Sequence, residues 1–517
     1  MTDVDGKLIR EESNYKKRTL NGFLWMFSGS GVQALLQIIV QLTLVRFVSP
    51  EEMGVVSASL VIIGFTIVLH QMGIGQAIIQ RQSLDDTHIR TGYTLSVISG
   101  VVFGILVLGL SPLFAWIFRM DELAAVVAVL AVIFPIQGFA ILSESLLQRN
   151  FQFKKIANIQ VVSYLVAYGI IGICLAVSGF GVWSIVVAHV LQVTLKSVLF
   201  LRMQPYSKRF SINISAMRDL LSYGSGSTLA RISNFFALQG DNLIVGRWLG
   251  PEALGLYGRA YQLMSIPSIL LGQVLDKVMF TTFSKLQEDK VQLKRTFLET
   301  VRVVALCTLP LCPFFYLLAP EIIVVLLGNN WVEATVPFQI LALGIFLRTN
   351  YKLSDALVQA TGAVYSRARR QLVYALLVIG GSYLGQFWGI VGVAFGVLGA
   401  LMVNFILMSH LSLHVLSTKW NEFLVAHLPA FVVFLPVHFG LVLTSGLIRN
   451  YNFPPVVLLV ISSALTLGAY LGCILLKPRW FLGQDQQHLV SVVLRRLLGA
   501  RYKKSLNYGG YDESRFH

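Results

Sequence analysis

Long apolar runs separated by short polar segments dominate this chain. Each run extends over roughly the 17–25 residues that an α-helix needs to cross the hydrocarbon core of a bilayer. The pattern therefore predicts an all-α polytopic membrane protein with about fourteen transmembrane helices. The predicted spans are residues 20–44, 53–72, 92–118, 123–143, 157–178, 181–201, 219–241, 254–276, 297–318, 334–351, 371–387, 389–409, 422–444 and 455–476. The turn at Gly389 is short enough to join two antiparallel helices.

One polar turn occurs twice. "RFVSPEEMGV" begins at Arg46, after the first predicted span, and "RWLGPEALGL" begins at Arg247, after the seventh. The positions that are identical in both copies are Arg46/Arg247, Pro50/Pro251, Glu51/Glu252 and Gly54/Gly255. In the first copy Ser49 and Glu52 form an S-x-x-E pattern with proline at the first helical position, which predicts a helix start.

Two further matches follow in the same order along the chain. "SESLLQ" (143–148) matches "SDALVQ" (354–359), and "FGVWSIVV" (180–187) matches "VGVAFGVL" (391–398). A six-span unit is therefore repeated, and an even number of spans gives both copies the same orientation. We predict two parallel six-helix bundles, residues 20–203 and 204–410, around a central cavity, with their symmetry axis along the membrane normal. Two additional spans follow within 411–477.

Composition and charge agree with this topology. The chain is 55% hydrophobic and 13% charged, which excludes an ordinary soluble domain. The net charge of +16 could indicate nucleic acid binding, but its distribution does not support that partner. Most of the 41 Lys and Arg residues lie on the side of the N-terminus, and the other side holds Arg46, Arg119, Arg247 and Arg449. By the positive-inside rule, both termini are cytoplasmic.

The two terminal segments fit the same orientation. Residues 1–19 are polar and contain no signal peptide, so we expect a cytoplasmic N-terminal segment. The tail, 478–517, is basic, and residues 486–504 alternate apolar and basic positions as an interfacial helix on anionic lipid would. The four cysteines and nine histidines have no metal-ligand spacing. No catalytic residue, metal or cofactor is therefore expected, apart from possible coupling to H⁺ or Na⁺.

Two arginines within predicted spans are the first candidates for a functional site. Arg231 lies near the middle of the seventh span, and Arg259 lies a few residues inside the eighth. A charge at this depth needs a partner or a wet cavity. Each arginine could line a substrate cavity and bind a diphosphate or acidic sugar, because the guanidinium fork fits phosphate. Structural pairing, with Asp241 as the partner in sequence, is the alternative.

Other polar residues in the spans have two interpretations each. Glu144 and Asp355 occupy equivalent places in the repeats and could stabilise a gate or couple transport to an ion gradient. Gln33, Gln37 and Gln41 recur every four residues on one helix face. Together with Asn242, these glutamines could bind sugar hydroxyls, or they could connect helices.

The repeated turn, the basic N-terminus and the spans resemble the polysaccharide transporter family, the Wzx-type flippases. These belong to the multidrug/oligosaccharidyl-lipid/polysaccharide exporter superfamily, and the resemblance is to the branch of the colanic acid type. It covers roughly residues 15–480. The resemblance implies a flippase in the bacterial inner membrane that moves undecaprenyl-diphosphate-linked oligosaccharides outward by alternating access. It also implies that transport is coupled to an ion gradient and that the protein contacts membrane lipids. The protein would work together with a polysaccharide polymerase or export machinery.

Two other classes of protein stay open at this point. A drug/cation antiporter of the same superfamily would have twelve spans and would usually rely on an acid deep in its N-terminal bundle. The first three predicted spans of this chain contain no carboxylate. A membrane-embedded polymerase or ligase of surface glycans would carry a large outer loop, whereas every predicted outer loop here is short.

The predicted orientation can be tested at the repeated turns. Single cysteines at Ser49 and Gly250, in a variant without native cysteines, should react with a membrane-impermeant thiol reagent in intact spheroplasts. A cysteine at a position on the opposite side, such as Lys419, should react only after lysis. The reverse result would show that the topology is inverted.

Overall fold

The computed structural model describes residues 33–71, 73–81, 83–206, 209–451 and 453–476. The predicted N-terminal segment (1–19), the start of the first predicted span and the predicted tail helix (486–504) lie outside these residues. Within them the regular elements are helices.

The helices follow in this order: α1 (Gln33–Val45), α2 (Pro50–His70), α3 (Ile74–Gln80), α4 (Asp86–Phe118), α5 (Asp121–Leu130), α6 (Ile133–Arg149), α7 (Phe153–Tyr164), α8 (Ile173–Val177), α9 (Val182–Met203), α10 (Ile214–Trp248), α11 (Pro251–Val274), α12 (Phe280–Leu286), α13 (Lys290–Thr308), α14 (Leu311–Leu317), α15 (Ala319–Leu326), α16 (Thr335–Ala342), α17 (Gly344–Ala360), α18 (Val364–Gly385), α19 (Gly389–Val415), α20 (Trp420–Asn450) and α21 (Pro455–Leu476). A π-helical segment, Leu165–Gly172, joins α7 to α8, and another, Leu275–Met279, joins α11 to α12.

Many of these helices suit a bilayer. In the described part of the chain, nine helical stretches are long and apolar enough to cross a membrane, and a bent pair around α16 and α17 could make a tenth. One of these stretches, Tyr365–Val415, contains both α18 and α19. The long helices α10 and α11, of 35 and 24 residues, carry more polar side chains. The all-α multi-pass fold is thus confirmed, while the number fourteen stays a prediction.

The chain forms two compact units. The first contains the described residues up to Pro267 together with Ala319–Gly344 and Val364–Leu407. In this unit α4 packs along α5 and α6, α6 packs on α9, and α10 lies along α18. Its interior includes large, fully buried side chains such as Phe134 and Phe200. The division into two six-helix bundles, residues 20–203 and 204–410, stays a prediction.

The second unit contains Ser268–Leu318, Ile345–Ala363 and the described residues from Met408 onward. Here α13 packs along α20, and α20 also contacts α14 and α21. The rings of Phe297 and Phe423 stack with centroids 6.5 Å apart. An ion pair of 2.6 Å between Lys294 and Glu422 joins the beginnings of α13 and α20.

The predicted helix start at Ser49 is confirmed. Ser49 is the N-cap of α2: its Oγ accepts a hydrogen bond from the backbone N–H of Glu52 at 3.2 Å. The carboxylate of Glu52 in turn accepts from the backbone N–H of Ser49 at 2.8 Å. Pro50 occupies the first turn, where its missing N–H leaves no intrahelical bond unmade. The local sequence therefore fixes the position at which α2 begins.

The predicted tight turn at Gly389 is also confirmed. Gly389 has a φ of +67°, a conformation that a residue with a side chain rarely adopts. The chain reverses there, and α18 and α19 come together so closely that a methyl group on Gly381 would lie 2.9 Å from the carbonyl oxygen of Gly396. Small residues on both helices allow this antiparallel approach.

The two copies of the repeated turn pack against each other. A methyl group on Gly54, in α2, would overlap the carbonyl group of Pro251, at the start of α11. Reciprocally, a methyl group on Gly255 would overlap the carbonyl group of Pro50. The first turns of α2 and α11 are therefore in direct backbone contact, and both glycines are needed for it.

This contact gives a prediction for Gly54. Gly54→Ala should destabilise the protein by about 1–3 kcal/mol, because the backbones of α2 and α11 would have to move apart. The measurement is thermal unfolding of the purified protein in detergent. Gly109→Ala is the matched control, since a methyl group on this α4 residue would meet nothing within 4 Å. A Gly54→Ala protein as stable as the control would contradict the contact.

Candidate functional site

Arg259, in α11, is a half-buried arginine of the predicted site. Its guanidinium donates a hydrogen bond to the side-chain oxygen of Gln262, one turn further on the same helix face. It also contacts the sulfur of Met53 in α2. Gln262 in turn donates to the side-chain oxygen of Gln41 in α1. Three helices thus meet around one guanidinium, and the glutamines supply polar neighbours that a cation needs in an apolar setting.

A small cavity adjoins this group. It encloses about 280 Å³ of empty space, including its open mouth. Its polar lining is Arg259, Gln262 and Gln41, and its apolar lining is Ile38, Leu42, Val45, Leu263, Ile266 and Leu327. One cationic group and two amides on an otherwise apolar wall can bind an anion that carries hydroxyl or apolar substituents.

Aromatic side chains continue the polar network into α7 and α9. Tyr164 lies beside Gln41 and within electrostatic range of Arg259. Its ring stacks on that of Tyr168, with centroids 4.9 Å apart. The hydroxyl of Tyr168 is 3.0 Å from Nδ1 of His189. Our sequence analysis did not single out Tyr164, Tyr168, His189 or Gln262. Of these, Gln262 could have been found, because it lies three positions after Arg259.

Arg231 has a partner of a different kind. Its guanidinium donates a 3.0 Å hydrogen bond to the side-chain oxygen of Gln71, the C-cap residue of α2. Arg231 is half-buried, and the next turn of α10 presents Phe235, whose ring centroid is 5.5 Å from that of Phe65 in α2. The contact with Gln71 joins α10 to the end of α2 at which α3 follows.

Asp241 and Asn242 lie further along α10. The carboxylate of Asp241 is 1% exposed and accepts a 2.7 Å hydrogen bond from the hydroxyl of Tyr257 in α11. It also accepts from the backbone N–H of Asn242 at 2.9 Å. The side-chain amide of Asn242 donates to Gln239 at 2.7 Å. Asp241 therefore connects α10 with α11.

The other predicted residues are separate from the Arg259 group. Glu144 in α6 forms a 3.2 Å ion pair with Lys196 in α9. Asp355, in the second compact unit, accepts a 2.8 Å hydrogen bond from Gln359 one turn further on α17. Gln33 and Gln37 are half-buried on the same helix as Gln41. The structure thus brings Gln41 together with Arg259, and the functional roles of all these residues stay predictions.

One polar cluster lies between α3, α4 and α10, and the sequence analysis missed it. Arg81 forms a 3.1 Å ion pair with Asp219, near the start of α10. Asp85, the N-cap of α4, accepts from the backbone N–H and the ring of His88. These hydrogen bonds lower the pKa of Asp85. Through the ion pair of Arg81 with Asp219, the cluster holds the connection between α3 and α4 against α10.

The fold is that of a multi-helix membrane transporter. A solved structure of the lipid II flippase MurJ, in an inward closed conformation, superposes with a TM-score of 0.70 at 13% identity and covers 92% of this chain and 99% of that chain. An inward-facing MATE multidrug transporter has a TM-score of 0.61 at 19% identity and covers 74% and 94%. Both neighbours share the all-α multi-pass fold that the sequence predicts.

The chain belongs to the family described as polysaccharide biosynthesis protein, whose sequence profile matches residues 43–337. It is 24% identical to the teichuronic acid biosynthesis protein TuaB of Bacillus subtilis (strain 168), over 77% of this chain and 84% of TuaB. It is 23% identical to the lipopolysaccharide biosynthesis protein WzxC of Escherichia coli (strain K12), over 81% and 86%. The resemblance to the polysaccharide transporter family is confirmed.

The buried contact of Asp241 gives a prediction about stability. Tyr257→Phe removes the hydroxyl that donates to this carboxylate, and should destabilise the protein by about 1–3 kcal/mol. Thermal unfolding in detergent measures the loss. Tyr383→Phe serves as the control, because Tyr383 is 44% exposed and packs its ring on Trp248. Equal unfolding temperatures for the two variants would argue against a stabilising role of the Asp241–Tyr257 bond.

Proposed function

We propose that this protein moves lipid-linked oligosaccharides across the bacterial inner membrane for the synthesis of a surface polysaccharide. The observation that carries the proposal is the enclosed Arg259, which lies with Gln41 and Gln262 beside a cavity in a polysaccharide-family transporter. TuaB, WzxC and the succinoglycan transport protein ExoT of Rhizobium meliloti, 25% identical over 64% of this chain, are named for polysaccharide synthesis or transport. An undecaprenyl diphosphate carrier is the substrate class that the resemblance implies.

The chemistry of the cavity fits such a substrate. The guanidinium of Arg259 can form two parallel hydrogen bonds with a phosphate group, and low polarity around it strengthens them. Amide groups such as those of Gln41 and Gln262 can donate to and accept from sugar hydroxyls. Arg231, on the neighbouring helix α10, is a second cation. A cationic drug would be repelled by the same arginines, which argues against the drug/cation antiporter.

Alternating access requires that the cavity open to one side at a time. The backbone contact between the first turns of α2 and α11 seals one end of these helices. The distribution of Lys and Arg assigns this end to the outer side and the termini to the cytoplasm. In this interpretation the repeated turn is the outer gate, and it must separate for release.

Ion coupling to H⁺ or Na⁺ is part of the proposal, as is cooperation with a polysaccharide polymerase or export machinery. Glu144 is a candidate for gating because it pairs with Lys196 across α6 and α9. Loss of that ion pair would loosen the contact between these helices. Asp355 and Asp241 are the other candidates.

The proposal predicts the effect of removing each arginine. Arg259→Ala and Arg231→Ala should each reduce transport by about tenfold or more, because a hydrogen bond to a charged group is lost. Arg259→Lys and Arg231→Lys should keep part of the activity, since lysine preserves the charge but not the fork. The measurement is rescue of surface polysaccharide in a strain that lacks the gene.

Membrane abundance, measured by blot, separates transport from folding in this experiment. Arg369→Ala is the matched control, because it removes an exposed arginine from α18 and should leave transport unchanged. Full rescue by a well-expressed Arg259→Ala would contradict the proposed substrate site. Accumulation of the lipid-linked glycan inside the deletion strain would identify the sugar.

A further inference from the structure

His70 is the last residue of α2 and is 1% exposed. Its ring lies between Phe103 of α4 and Phe134 of α6, with centroid distances of 6.3 and 5.9 Å. In the predicted spans 20–44, 53–72 and 92–118, the titratable side chains are His70 and Tyr93. A buried histidine in this part of the chain therefore needs an explanation in terms of its hydrogen bonds.

The hydrogen bonds of Ser99 determine which nitrogen of His70 carries the proton. The hydroxyl of Ser99 donates its single hydrogen to the backbone carbonyl of His70, at 2.9 Å. The 3.1 Å contact between Nδ1 of His70 and Oγ of Ser99 must therefore be donated by the ring. In the neutral ring, Nε2 then holds the lone pair. This atom is buried, and within the part of the chain that the structure describes no group donates to it.

Protonation would place a second N–H at Nε2, where none of the described residues accepts a hydrogen bond. A buried cation without a partner is costly, so the conformation described here favours the neutral ring. Any conformation that gives Nε2–H an acceptor or water favours the charged ring. Lowering the pH must then move the population away from the described conformation, by linkage.

The surroundings of His70 identify the groups that respond. The residues that contact the ring, Ser99, Phe103 and Phe134, do not titrate. A charged group near this end of α2 is Arg231 of α10, which binds Gln71, the neighbour of His70 in sequence. A charge on His70 therefore acts on the Ser99 contact with α4 and on the Gln71 contact with α10.

We propose that His70 is a proton-binding site, and that its protonation releases α2 from its contact with α11. The two ends of α2 are connected because a helix of 21 residues moves largely as one body, about 30 Å long. His70 and Ser99 hold one end, and Gly54 contacts Pro251 at the other. The proton site itself does not depend on the proposed transport. Only the idea that a proton gradient drives transport through this site rests on the proposed function.

The test measures the α2–α11 contact directly, without substrate. Ser57 and Gly258 face each other across it, since a methyl group on Gly258 would lie 3.7 Å from Oγ of Ser57. Cysteines at both positions, in a variant without native cysteines, should form a disulfide when the purified protein in liposomes is oxidised with copper phenanthroline. The initial rate of disulfide formation is compared between about pH 5 and 8.

His70→Asn is the decisive variant, because its amide can still donate to Ser99 but cannot titrate in this range. The pH dependence of the thiols is common to all variants, so the ratio of wild-type to His70→Asn rates removes it. One proton changes an equilibrium by at most about tenfold per pH unit. We expect the ratio to fall several-fold from about pH 8 to 5. A constant ratio would overturn the proposal.

A second buried histidine provides the matched control. His427 in α20 is 3% exposed, its Nδ1 donates to the carbonyl of Phe423 at 2.8 Å, and its Nε2 has no partner among the described residues. This hydrogen bond stays within one helix, so His427→Asn should leave the pH profile of crosslinking unchanged. A loss of pH dependence in His427→Asn equal to that in His70→Asn would also overturn the proposal.

Ser99→Ala keeps the test decisive if His70→Asn does not fold. It removes the acceptor of Nδ1–H, which changes the proton affinity of the ring, so the midpoint of the crosslinking profile should shift. An unchanged midpoint would count against His70. The assay contains no lipid-linked glycan, so it tests the proton site separately from transport. It can support the proton site even if polysaccharide rescue contradicts the proposed transport. It can also contradict the proton site while polysaccharide rescue supports the proposed transport.

Discussion

The backbone contact between the first turns of α2 and α11 is the constraint on which the described site depends. Each glycine faces the proline carbonyl of the other copy, so Gly54 contacts Pro251 and Gly255 contacts Pro50. Reciprocal contacts of this kind arise around a local twofold axis. The repeated turn is therefore a surface that packs on its own copy. Proline begins each helix, and glycine lets the backbones meet.

The position of Arg259 follows from this contact. Once the first turns touch, the next turn brings Ser57 opposite Gly258, and Met53 opposite the guanidinium of Arg259. Gln262 then reaches Gln41 on α1. Separation of α2 from α11 would remove Met53 from the guanidinium and change how much of the charge is exposed to water. The α2–α11 contact and the cationic site are thus parts of one interface, and separation of the two helices would alter the electrostatics of the site.

Several features of this fold could be predicted from sequence because they depend on neighbours along the chain. The apolar runs gave the all-helical membrane fold, Ser49 and Glu52 gave the start of α2, and the turn at Gly389 follows from a glycine between two apolar runs. The partners of the buried charges depend on packing between distant segments. Gln71 binds Arg231 from 160 residues away, and helical periodicity contains no information about which face meets which.

Part of the candidate site could be predicted from the sequence, because some of its residues differ clearly from their neighbours along the chain. A charged residue inside an apolar run is conspicuous, so Arg231 and Arg259 stood out. Neutral polar residues are not conspicuous, because glutamine, tyrosine and histidine also occur in helices as ordinary interior residues. Tyr164 acquires significance only when the structure places it near Arg259, and Tyr168 and His189 only when it connects them to Tyr164. His70 was passed over too, since its importance lies in a serine 29 residues away.

A transporter driven by protons needs a group whose proton affinity differs between conformations, and a close-packed interior supplies the difference. In α2, the residue at one end has a ring nitrogen without an acceptor in the described part of the chain, and the residues at the other end form the backbone contact with α11. A shift of one pKa unit between two conformations corresponds to about 1.4 kcal/mol. A single buried imidazole can therefore control a gate some 30 Å away, provided that the helix between them stays rigid.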